Sequence, residues 1–208
     1  FFEHDNCLYL IDCGESTFRA MFSRNEIYDY DNIVVLLTHL HADHIGSLGS
    51  FLSFCKNVLD KKVLLAAEED TIVNILDQRG VHTDKYNFTT DFKECEADGL
   101  SIYVKRESHA TDMLCCGFIF ECNGEKIYYS GDTSNVPSDI LNAFLSGEIK
   151  TMYQECTFLD KDSTSHYSLK KLCEIIPYEE RQRVYCMHLG DDIEDDIVKA
   201  GFRVPKIV

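Results

Sequence analysis

Four of the six residues in the string His39-Leu40-His41-Ala42-Asp43-His44 are types that bind metal through nitrogen or oxygen. On extended backbone His39 and His41 leave on the same side about 6 to 7 Å apart, a gap that two imidazoles can close onto one ion. Ala42 keeps the following turn small. Asp43 and His44 then open a helix predicted over 44–59, so their side chains leave in a new direction, toward a second ion. The residues before the string, Asn32 to Thr38, form an apolar run of the kind expected for a strand buried on both faces. The donors therefore sit at a strand's end.

Two ions held about 3.5 to 4 Å apart need a shared ligand and further donors from distant parts of the chain. His109, Asp132 and His188 follow in order, each just after a predicted strand, where loops of layered α/β folds carry their chemistry. A donor set of imidazole and carboxylate suits two divalent ions, zinc first, with manganese or iron as alternatives. Such ions lower the pKa of a shared water to about 7, so a metal-bridging hydroxide is the expected nucleophile. Asp43 would ligate the second ion and also orient the water and accept its proton. Asp132 would bridge the ions, with Gly131 allowing close backbone approach. His4 and His82 stand outside any such pattern and are read as surface or hydrogen-bonded histidines.

The ordered set His39, His41, Asp43, His44, His109, Asp132 and His188 resembles the metallo-β-lactamase superfamily over nearly the whole chain. Leu10-Ile-Asp-Cys-Gly-Glu15, Cys116-Gly-Phe-Ile-Phe-Glu121, Tyr129-Ser-Gly-Asp-Thr133, Glu155-Cys-Thr-Phe158 and Ser165-His-Tyr-Ser168 resemble its ribonuclease Z and phosphodiesterase branch. The last two stand where that branch carries His-Glu-Ala-Thr and His-Ser-Thr loops. Gln154 replaces the histidine of the first, and Tyr167 interrupts the second. The resemblance therefore carries over only Glu155, Thr157 and His166. It implies that His166 protonates the departing oxygen and that Glu155 supports it. Thr157 and Ser168 have hydroxyls that could donate to phosphate, although Ser168 equally suits the N-cap of a helix from Leu169.

The resemblance also implies the αββα sandwich, an α/β (α+β) fold of two mixed sheets with outer helices. The order of predicted elements accommodates it. Strands are predicted at 7–12, 33–38, 63–66, 101–105, 117–122, 126–129, 151–155 and 183–187, and helices at 15–24, 44–59, 68–79, 137–146, 168–175 and 192–200. No linker or low-complexity stretch divides the chain, so residues 1–208 are read as a single domain. Relatives usually place a first strand and a Gly-rich loop ahead of the segment corresponding to Cys7, and these are expected upstream of Phe1.

The branch that processes transfer RNA holds it with a long arm between the third and fourth ligand motifs. Only 22 residues lie between His109 and Asp132, enough for a hairpin turning at Asn123-Gly124 and too few for an arm. Charge agrees: 20 Lys plus Arg stand against 36 Asp plus Glu, a formal −16, and polyanion binding relies on basic surface. Of the small basic groups, Lys105-Arg106 alone precede a ligand closely enough to meet a phosphate. The expected substrate is a small phosphodiester or a short nucleic-acid end, cleaved by a two-metal phosphodiesterase. An armless ribonuclease Z-type endonuclease, a thioester or lactone hydrolase and a non-catalytic metal-binding module are the other readings. Asp rather than Cys in the fourth motif argues against β-lactam cleavage, and His41 in place of glutamate argues against diiron electron transfer.

Ten cysteines scattered along predicted strands, with no Cys-x-x-Cys and no signal peptide, are expected to be reduced thiols of a cytoplasmic protein. Cys156 and Cys186 lie within two residues of site candidates and are noted as adventitious ligands. No apolar stretch approaches the roughly 20 residues that span a bilayer. A homodimer is the expected assembly from the resemblance.

Overall fold

The computed structural model describes residues 1–24, 26–158, 165–189 and 192–205. It divides into two compact units, Phe1–Leu100 and Ser101–Val208.

The first unit is a five-stranded sheet in the order β1-β2-β3-β4-β5, from β1 (Phe2–His4), β2 (Cys7–Ile11), β3 (Asn32–Leu36), β4 (Val63–Ala66) and β5 (Tyr86–Thr89). Asp5 and Asn6 both have positive φ, 47° and 57°, the backbone a two-residue hairpin demands. They set β1 antiparallel to β2, with His4 opposite Cys7. The remaining pairs are parallel. Ile33 to Leu36 are all buried, the continuous apolar run that a parallel strand covered on both faces requires. Leu8, Leu10, Ile33, Val35, Val63 and Leu65 share a core with helix residues. α3 (Leu48–Leu59) buries Leu48, Phe51, Leu52 and Cys55, one stripe at helical spacing. α1 (Thr17–Ser23) adds Met21, and α4 (Thr71–Gln78) adds Ile72 and Leu76.

The helix expected over 44–59 is two. A single turn, α2 (Ala42–Ile45), precedes α3, and Gly46 and Ser47 separate them. Ser47 explains the break. Its hydroxyl donates to the Gly14 carbonyl at 2.5 Å and accepts the Phe18 amide at 3.1 Å, so it serves the turn into α1.

The second unit holds β6 (Leu100–Arg106), β7 (Cys116–Cys122), β8 (Glu125–Tyr129), β9 (Ile149–Glu155) and β10 (Val184–Met187) in the order β10-β9-β8-β7-β6. β7 and β8 form the hairpin expected at Asn123-Gly124, whose φ values are 52° and 80°. β8–β9 and β9–β10 are parallel. Tyr128, Met152, Val184 and Cys186 pack with Ile140 and Phe144 of α5 (Ser138–Leu145), Leu172 of α6 (Leu169–Ile175) and Ile197 of α7 (Glu194–Lys199). The Ser168 hydroxyl accepts the Lys171 amide at 3.2 Å and caps α6, which is the structural use expected of it. Two mixed sheets with helices are thus present, as the resemblance implied. The strands at Phe2–His4 and Tyr86–Thr89 were not among those predicted. No helix among the described residues is long and apolar enough to cross a membrane.

Candidate metal centre

In the first unit the donors gather where β2 and β3 end side by side. Ile11 pairs with Leu36, so the next residues, Asp12 and Leu37–Thr38, leave the sheet together. Asp12 takes a left-handed φ of 62° and turns its carboxylate onto β3's extension. Oδ1 accepts the Thr38 amide at 2.8 Å, and Oδ2 accepts the Thr38 hydroxyl at 2.8 Å and His44 Nδ1 at 2.7 Å. With Nδ1 committed to a carboxylate, His44 presents Nε2, the arrangement that orients histidine ligands in metal sites. Asp43 Oδ2 lies 3.6 Å from that Nε2. His39 and His41 form the other pair. His39 Nδ1 lies 3.0 Å from the Thr38 hydroxyl, and His39 Nε2 faces His41 Nδ1 at 2.9 Å. Asp43 is exposed, whereas His39 and His44 are buried.

The second unit builds its share around Asp132, in the loop after β8. Gly131 has a φ of 59°, a conformation that glycine adopts without steric cost. His109 Nδ1 meets the Ser165 carbonyl at 2.9 Å, which leaves Nε2 3.7 Å from Asp132 Oδ2. His188 also has a left-handed φ, 54°, and places Nε2 3.5 Å from the same oxygen. Glu155, at the end of β9, is completely buried. Its Oε1 is held by His166 Nδ1 and lies 3.8 Å from His188 Nδ1. One ligand atom from each of Asp132, Glu155, His166 and His188 falls within 4.8 Å of all the others. These are nitrogen and oxygen donors, and His39, His44 and His109 have their Nδ1 held by protein groups, so each share fits a divalent ion by its chemistry.

The structure therefore brings His39 to His41 and Asp43 to His44 within one unit, and His109, Asp132, His188, Glu155 and His166 within the other. His4 and His82 sit apart, against the Asp98 carbonyl at 2.7 Å and Asp77 at 2.5 Å. Lys105 pairs with Asp139, which occupies the ammonium considered for phosphate. Cys156 and Cys186 lie in the hydrophobic core of the second unit, and no cysteine joins a donor cluster among the described residues. Contact with Cys156, together with burial, pushes the Cys186 thiol far up, and burial pushes Cys13 up to about 12. They are inert thiols.

Two residues escaped the sequence reading. Asp12 lies in the Leu-Ile-Asp-Cys-Gly segment noted above, and its signal was a carboxylate closing an apolar strand parallel to the ligand-bearing one. Glu107 lies two residues before His109. It accepts the Tyr128 hydroxyl at 2.6 Å and the Thr133 hydroxyl at 3.1 Å. Burial pushes its carboxyl up to about 7 against the opposing pull of those hydrogen bonds.

A family model described as anti-Pycsar protein Apyc1 matches residues 1–204. The protein of that name from Bacillus phage BSP38 is 28% identical over 218 residues, covering 92% of this chain and 81% of its own length. Ribonuclease Z of Mycolicibacterium paratuberculosis is 25% identical over 193 residues, covering 82% and 67%. Among solved structures, the metallo-β-lactamase fold protein YhfI from Bacillus subtilis superposes with a TM-score of 0.72 at 18% identity, over 99% of this chain and 87% of its own. A diphosphatase of the PhnP family gives 0.73 at 19% identity, over 98% and 79%. The fold is that of the metallo-β-lactamase proteins.

Proposed function

The chain belongs to the anti-Pycsar protein Apyc1 family, and from that premise we propose that it is a two-metal phosphodiesterase acting on a cyclic nucleotide. The observation that carries this reading is the buried Glu155 holding His166 within the cluster of Asp132 and His188, because a carboxylate-braced histidine beside metal donors suits protonation of a leaving oxygen. His39, His41 and His109 would hold one ion and Asp43, His44 and His188 the other, with Asp132 serving both. Zinc is the first choice, with manganese or iron as alternatives. When bound, the ions activate water and neutralise the non-bridging phosphate oxygens.

The remaining work belongs to side chains. Asp43 orients the attacking water and takes its proton as the new phosphorus–oxygen bond forms. The bond to the departing oxygen breaks, and His166 supplies that oxygen's proton while Glu155 keeps the imidazole in place. Among small phosphodiesters, a cyclic nucleotide agrees with relatives named for opposing Pycsar. A net charge of −16 and the short His109–Asp132 interval speak against transfer RNA.

Cytoplasmic residence and self-association are parts of the same proposal. α1 and α3 contain no acidic residue in a chain with 36 of them, and they expose Phe22 and Val58. The absence of acidic charge beside exposed apolar side chains suits contact with a second copy. A single-chain mass in sedimentation at tens of micromolar would dismiss that part.

The enzyme loaded with zinc or manganese is expected to open cyclic mononucleotides and to cleave bis-p-nitrophenyl phosphate. Hydrolysis confined to a thioester or lactone panel would overturn the assignment. Asp43→Asn should lower turnover about 10²- to 10⁴-fold while at least one metal stays bound. Unchanged turnover would remove Asp43 from its role.

A further inference from the structure

Two loops of the second unit are stitched together residue by residue. Glu107 Oε2 accepts the Thr133 hydroxyl at 3.1 Å. Next to it, the Ser108 carbonyl accepts the Ser134 amide at 2.6 Å and the Ser134 hydroxyl at 2.7 Å. His109 then stands 3.7 Å from Asp132. On its far side Glu107 is anchored to β8, where Oε1 accepts the hydroxyl of the fully buried Tyr128 at 2.6 Å. Its own amide donates to the Cys115 carbonyl at 2.9 Å.

Thr133 is the pivot of this arrangement. It is completely buried and directly follows Asp132. Its hydroxyl reaches Glu107 and also lies 2.9 Å from the Asn135 carbonyl, which closes the turn. Its amide donates to Glu155 Oε2, while Oε1 of the same carboxylate holds His166. One threonine thus links two carboxylates, one of which braces the proposed acid.

We propose that Glu107 is a positioning residue of the site: with Tyr128 it fixes the Asp132–Thr133 turn, and through the Thr133 amide it fixes the Glu155 carboxylate that holds His166. This rests on the phosphodiesterase reading for its kinetic consequences, but not for its effect on metal binding. Removing Glu107 takes away the tie between the Thr133 turn and β8 and leaves Thr133 with Asn135 and Glu155 as partners, so the aim of both the Asp132 carboxylate and the Glu155–His166 pair is loosened. Groups that orient metal ligands typically cost about 10- to 100-fold in affinity or activity when removed.

The test compares Glu107→Ala, Glu107→Gln and Thr133→Val with the parent. Zinc affinity is measured by competition with a chromophoric chelator, and kcat and KM are measured on aryl phosphodiesters of graded leaving group. Glu107→Ala is expected to weaken zinc about 10-fold or more. It should also lower kcat with KM within about twofold and slow poor leaving groups more than p-nitrophenolate, the pattern expected of His166→Ala. Glu107→Gln, which can still accept from Tyr128 or Thr133, should recover most of both losses.

A merely structural role would scale every substrate equally, leave zinc affinity per folded molecule unchanged and show no rescue by glutamine; that result overturns the proposal. If Glu107→Ala does not fold, Thr133→Val decides, since it removes the hydroxyl and keeps the amide. Parental zinc affinity and leaving-group dependence in that variant would overturn the proposal too. If the parent cleaves no phosphodiester, the functional reading fails, and zinc affinity alone still judges Glu107.

Discussion

Asp12 and His188 both adopt left-handed backbone, with φ of 62° and 54°, a region that costs a non-glycine residue about 1 to 2 kcal/mol. Each stands just past a strand end and contacts donors, so the strain is retained where aim matters. Asp12 does the more: one carboxylate fixes the Thr38 amide, the Thr38 hydroxyl and the tautomer of His44. Asp12→Ala is expected to weaken metal about 10- to 100-fold, with the larger effect on the ion assigned to His44. Stepwise release of metal to a chelator checks this, and two ions lost at parental concentrations would dismiss it. The seven proposed donors could be named from the sequence because histidines at strand ends, with an aspartate in the same motif or loop, are rare enough to stand out. Asp12 and Glu107 were not, because a chain with 36 carboxylates gives no reason to single out two until their hydrogen bonds are seen.

Elements carry the same lesson in the way turns meet. Cys13 donates its amide to the His44 carbonyl at 2.8 Å, and Ser47 returns a bond to the Cys13 carbonyl at 3.2 Å, so the turn after β2 lies flat against α2. At Gly14 the approach is so close that an added Cβ would stand 2.1 Å from the Asp43 carbonyl oxygen. Gly14→Ala must therefore push α2 away and carry Asp43 with it. We expect a loss of about 1 to 3 kcal/mol of stability, read in urea unfolding, together with reduced turnover in the folded fraction. A variant with parental stability and activity would show that the turn yields at no cost. Apolar runs made eight of the ten strands readable, the edge strands β6 and β10 among them, and amphipathic spacing did the same for the helices. β1 and β5 escaped since Phe2-Glu-His4 and Tyr86-Asn-Phe-Thr89 are short and interrupted by polar residues, whereas β10, as short as β5 and also at an edge, is the unbroken apolar run Val184 to Met187. The break in the 44–59 helix escaped because Ser47 is spent on a contact distant in sequence.

At the scale of the whole chain, each unit displays its own incomplete set of donors. The first offers three histidines and Asp43. The second offers His109, Asp132 and His188, with Glu155 and His166 beside them. Neither set alone provides the ligands for two ions, and the proposed chemistry requires that they act together. Metal titration of the full chain followed by mass measurement under native conditions is expected to give two divalent ions per chain. His41→Ala, from the first set, and His188→Ala, from the second, should each lower that number or weaken one step. Residues that serve a common pair of ions couple energetically, so the double variant should lose less than the product of the single losses. Strict multiplicativity would mean that the two sets bind independently, and the two-metal hydrolysis would then lack the shared Asp132 on which it depends.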